Sequence, residues 1–115
     1  MTHINQDLAK VSFHEATLVG ISRQGDAVDL KLDDVLIAGV RKPASVTLKG
    51  VCSISREGTP IKDLHMEEED GEILTLHEDN SQIILVVQWN NFATRHQNTV
   101  VYTIPGGRIL LHVIP

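Results

Sequence analysis

The residues best supplied for chemistry are eight carboxylates crowded between positions 63 and 79: Asp63, Glu67, Glu68, Glu69, Asp70, Glu72, Glu78 and Asp79, with no lysine or arginine among them. Two histidines, His65 and His77, fall in the same stretch. A hairpin over 61–77, turning at Glu69-Asp70-Gly71 with Gly71 in the left-handed position of a bulge, would pair Met66 with Leu74 and Leu64 with Leu76 on one face. The other face would then set Asp63 beside His77 and His65 beside Thr75, a group of oxygen and nitrogen donors able to hold a divalent cation. The same register places Glu68 against Glu72, with Glu67, Glu69 and Asp70 close by. Like charges facing each other across strands destabilise, so a basic protein surface would relieve them over a wide area. Glu67, Glu68, Glu69, Asp70 and Glu72 are therefore the expected partner-binding residues, and Asp63, His65 and His77 the expected metal donors.

A second candidate is the polar connection 90–98, where Phe92 stands among polar residues with Arg95 and His96, as recognition loops are often furnished. The alternative is that Phe92 packs under Trp89. Other chemistry is thinly supplied. No serine lies in a Gly-Xaa-Ser-Xaa-Gly turn, no histidine pair has finger or His-Glu-Xaa-Xaa-His spacing, and Gly106-Gly107 lacks a following helix that could cradle phosphate. The chain is read as non-enzymatic, with no cofactor.

The elements that must position these residues are strands. Residues 82–89 form the longest strongly β-forming run, with Ile83, Leu85, Val87 and Trp89 pointing one way and Ile84 and Val86 the other. Residues 12–21 and 27–32 suggest a hairpin across the turn Arg23-Gln24-Gly25-Asp26. Residues 35–40 are read as irregular and ended by Pro43, after which a strand over 44–54 carries Val46, Leu48, Cys52 and Ile54 on its core side. A four-residue turn over 78–81 would pair Leu76 with Ile83 and Leu74 with Leu85. Residues 99–104 and 108–113 suggest a final hairpin about Pro105-Gly106-Gly107. The pattern predicts an all-β fold: a single antiparallel β-sandwich or rolled sheet of about seven or eight strands with little or no helix. Residues 1–11 are expected as an arm and 12–115 as one domain. The expected core holds Leu18, Leu30, Leu32, Leu48, Ile54, Leu74, Leu76, Ile83, Leu85, Val87 and Trp89.

Phe13-His14-Glu15-Ala16-Thr17-Leu18, Leu48-Lys49-Gly50-Val51 and the turn Glu69-Asp70-Gly71-Glu72-Ile73 together resemble small bacterial all-β domains of unknown function, some of them grouped with toxin-immunity proteins. The resemblance implies a sandwich or barrel-like domain that binds a protein partner. It brings no binding residue to any position of this chain.

Composition sets the remaining limits. The 115 residues are 42% hydrophobic and 22% charged, as in globular proteins. No apolar run reaches the roughly 18 residues of a membrane span, and the start of the chain lacks the pattern of a signal peptide, so a cytoplasmic protein is expected. The formal charge of -5 is concentrated in the acidic block, which repels nucleic acid and anionic lipid and attracts a basic protein or a cation. Apolar residues on the second face, Ile73, Ile84 and Val86, together with the run 109–114, suggest a homodimer. The function expected is a protein-interaction module, immunity-like by the resemblance, that uses the acidic hairpin 61–77. The alternative is a β domain binding a small molecule or divalent cation.

Overall fold

The computed structural model describes residues 11–113. All regular structure among them is strand: β1 (Val11–Ser12), β2 (Thr17–Gln24), β3 (Ala27–Ile37), β4 (Val40–Lys49), β5 (Ile54–Arg56), β6 (Thr59–Ile61), β7 (Asp70–Asp79), β8 (Gln82–Asn91), β9 (His96–Pro105) and β10 (Arg108–Val113). They form one antiparallel sheet in the order β10-β4-β3-β2-β7-β8-β9-β5-β6, with β1 paired to β3. The all-β class is as expected. The strand count is higher because β1, β5 and β6 are short pieces that hydrophobic alternation does not reveal. Of the arm expected over 1–11, residues 1–10 lie outside the described residues, and Val11 already pairs with Ile37.

The sheet rolls over on itself. Two strips, β10-β4-β3-β2 and β7-β8-β9-β5-β6, meet where Thr17 and Leu18 pair with Glu72 and Gly71, with Glu15 and Ala16 bonded through their backbones to Ile73 just before, and β10 returns to β7, where Ile109 N donates to Glu78 Oε2 at 2.9 Å. One apolar cluster fills the space between the strips. Ile83, Leu85, Val87 and Trp89 of β8 are fully buried while Ile84 and Val86 are half-buried, which is the alternation expected of a strand with one core face. Phe13, Val35, Val100, Tyr102, Ile104, Ile109 and Leu111 also belong to the cluster.

Several local expectations are corrected. The hairpin over 61–77 does not form: residues 62–69 have no strand, and β7 begins only at Asp70. Gly71 is not left-handed. It sits opposite Trp89, and a Cβ there would lie 2.8 Å from the indole. The four-residue turn over 78–81 is a two-residue turn, Asn80-Ser81, with φ of 51 and 65, the pair of left-handed residues that suits the twist of a hairpin. Leu76 consequently pairs with Leu85, and a bulge between Ile73 and Thr75 turns Ile73 into the core and leaves Leu74 half-buried. Pro43 does not interrupt a strand. It lies in β4 opposite the register shift between Leu32 and Val35, where a residue without an N–H is tolerated. Residues 35–37 belong to β3, and Ala38-Gly39 makes the turn. Cys52 is exposed, because Gly50 at φ 79 takes the chain out of β4 before it. Pro105-Gly106-Gly107 is a crossover: β9 pairs with β8 and β5, and β10 with β4.

Candidate partner-binding end

The acid-rich residues between β6 and β7 form a strap across one end of the roll. Leu64 is buried in the core and Met66 packs against it, which anchors the strap by apolar contact. Its carboxylates then meet fixed partners. Arg23 Nη1 donates to Asp63 Oδ1 at 2.7 Å, and Arg56 grips Glu67 with both Nε and Nη2, at 2.9 and 2.8 Å. Tyr102, opposite Arg56 in the β5–β9 pair, donates its hydroxyl to the same carboxylate and accepts from the Trp89 indole at 3.1 Å. The two-pronged guanidinium holds the Glu67 carboxyl below the usual carboxylate range, with the Tyr102 hydroxyl acting in the same direction. Burial pushes the Tyr102 phenol above its ordinary value, and the Glu67 charge adds to the shift.

Glu67 is thus neutralised within the chain, which sets it apart from the other expected partner-binding residues. Glu68 accepts from Asn91 Nδ2 at 3.1 Å and Asp70 from Asn90 Nδ2 at 2.7 Å. Glu69 is exposed. Asp70 and Glu72 share the outer face of β7, with Glu72 between Thr17 and Gln88 in the sheet; it does not face Glu68.

The Asn91 contact joins the strap to the end of β8 and the Asn90 contact ties in the start of β7, so two stretches read separately from the sequence come together. The connection after β8 is only the four residues 92–95, and Phe92 in it is 74% exposed; it does not pack under Trp89. Asn91 Oδ1 accepts from Thr94 N at 3.1 Å, and Arg95 takes a left-handed φ of 58. Phe92 stands between two shallow depressions. One, of about 220 Å³, is lined by Glu68, Glu69, Asn90, Asn91 and Ala93 beside Phe92. The other, of about 230 Å³, includes Arg95 and His96.

Asp63, His65 and His77 are not assembled as expected. Asp63 faces Arg23, while His77 is opposite Ile84 on β7. Among the described residues no group of three or more His, Cys, Asp or Glu side chains could hold a metal ion. Sequence reasoning missed Arg23, Arg56, Tyr102, Asn90 and Asn91. The clamp joins residues 11 and 35 positions apart in sequence, and no local pattern encodes such a contact. The available signal was compositional: one tryptophan and one tyrosine, each of which needs a hydrogen-bond partner when buried.

No family model matches the chain, no curated protein matches it, and no solved structure matches it. No helix among the described residues is long and apolar enough to cross a membrane.

Proposed function

We propose that the protein is a non-enzymatic interaction module that binds a basic protein partner, in the manner of an immunity protein, through the end formed by Glu68, Glu69, Asp70, Glu72 and Phe92. The observation that carries the reading is the convergence of the strap and the 92–95 loop around an exposed aromatic ring. Glu68 and Glu69 line the depression on one side of that ring, and no ion pair to Arg95 neutralises them among the described residues. An apolar anchor rimmed by one sign of charge is the usual composition of a protein-binding patch.

Capture from a lysate at low and at high salt tests the reading when wild type is run beside a Phe92→Ala variant. The module should retain a basic protein at low salt, release it as ionic strength rises, and retain less of it without the ring. Retention indifferent to both salt and Phe92 contradicts the proposal.

Small-molecule binding ranks second. Its support is a groove of about 600 Å³ lined by Phe13, His14, Leu76, His77, Glu78 and Ile109. Two of the polar groups there are already engaged, His14 Nδ1 with Leu74 O and Glu78 with Ile109 N.

A further inference from the structure

We infer that the strap is a latched flap: residues 62–69 swing away from the end of the roll as one unit while the sheet stays folded, and the contact of Glu67 with Arg56 and Tyr102 is the latch. The strap runs from the end of β6 at Ile61 to the start of β7 at Asp70. Along its length no backbone–backbone hydrogen bond ties it to the rest of the chain among the described residues. The strands on either side are held by ladders, which break only together with their neighbours. A segment held by side chains alone opens by itself, and such segments lie at the low end of a protein's range of local stability.

The side chains that hold the strap are few and unequal. Asp63 meets Arg23 as a solvent-exposed pair, which contributes little. Glu68 takes one amide hydrogen from Asn91. Leu64 is buried and Met66 packs against the core, which holds the strap down without directing it. The clamp is different in kind. Glu67 receives two bonds from Arg56, at 2.9 and 2.8 Å, and a third from the Tyr102 hydroxyl; charge-assisted, two-pronged contacts of this sort are the strong ones. Arg56 stands on β5 and Tyr102 on β9, and the two are paired in the sheet, so the latch has a fixed side and a moving side. Behind it, the Tyr102 hydroxyl accepts from the indole of Trp89, which is 1% exposed. When Glu67 withdraws, Tyr102 loses its acceptor and water gains a path to the indole N–H. Glu68 and Glu69 travel with the strap, so the end proposed to bind a basic partner is complete only while the latch is shut.

The chain has a single tryptophan, and hydrogen exchange of its indole N–H in the full chain, followed at urea concentrations below the unfolding transition, tests the latch. Backbone amides of Leu85 and Val87, in the middle of β8, report unfolding of the whole sheet. The indole proton should exchange ahead of those amides, each measured against its intrinsic rate, and its rate should rise only weakly with urea, because a local opening exposes little surface. Glu67→Gln should speed the indole about tenfold, the loss of a hydrogen-bonded charge, and keep the shallow urea dependence. Asp63→Asn, at the exposed pair, should change the rate by less than about threefold. An indole proton that exchanges at the same protection and the same urea slope as Leu85 and Val87 overturns the inference, because the strap then moves only with the fold. A local opening that ignores Glu67→Gln overturns it too, because the latch then lies elsewhere. No partner enters the measurement, so either failure leaves the basic-partner reading to the capture experiment.

Discussion

Tyr102 is the residue on which the strap depends most. Its hydroxyl accepts from the buried Trp89 indole and donates to the half-buried Glu67, so Tyr102→Phe keeps the ring while stranding the Trp89 indole N–H and removing a donor from Glu67. The expected cost is about 1–3 kcal/mol, the penalty of a buried unsatisfied donor, read as a lower urea midpoint with an unchanged slope. Glu67 adds a pH signature. Its folded pKa is depressed, chiefly by the Arg56 guanidinium, so its stabilisation is fully present above the unfolded carboxylate value of about 4.3 and is lost as pH falls through the lowered folded value. A Glu67→Gln variant should be less stable than wild type at pH 7, and the difference should close on acidification. A gap that stays constant with pH means that the carboxylate charge contributes nothing. None of this was legible in the sequence, where Glu67 is one acid among eight and only the fold brings Arg56 and Tyr102 to it.

At the scale of elements, β8 was readable and its neighbour β7 was only half so. Strict alternation of Ile83, Leu85, Val87 and Trp89 fixes which face is buried, and Leu85→Ala should cost about 2–5 kcal/mol, since Leu85 is fully buried. In β7 the alternation breaks at the bulge between Ile73 and Thr75, and a period-2 reading carried through it puts Leu74 inward and Ile73 outward, the reverse of what is found. Leu74→Ala should therefore cost distinctly less than Ile73→Ala in the same denaturation experiment; equal costs would contradict the bulge. Gly71 looked like a turn glycine because Asp-Gly is a strong turn signal. Its actual role is to make room for Trp89. Gly71→Ala should destabilise by about 1–3 kcal/mol through overpacking against the indole, read as a lower urea midpoint; an unchanged midpoint would contradict the close approach of Trp89.

For the whole molecule, the rolled sheet takes up much of the apolar surface that suggested a dimer. Ile73, Ile109 and Leu111 are buried within the chain, leaving Ile84, Val86 and the 37% exposed Val101 on the outer face of β8 and β9. Three partly exposed side chains form a patch of ordinary size for a monomer. Light scattering should give the mass of a single chain; a two-chain mass would return the outer face to consideration as an interface. The fold class was legible because alternation and turn residues recur along the chain. The roll was not, since Pro105-Gly106-Gly107 reads as a hairpin in sequence but carries β10 across to β4. The same folding leaves Glu68 and Glu69 beside Phe92, and whether the acids at that end bind a partner is the central claim. The dissociation constant of the captured basic partner, measured across ionic strength for wild type and for a variant carrying Glu68→Gln, Glu69→Gln and Glu72→Gln, tests it most directly. The variant should bind about tenfold more weakly at low salt, the loss of three surface pairs at some tenths of a kcal/mol each, with a shallower dependence on salt. Equal affinity and equal salt slope would contradict the claim.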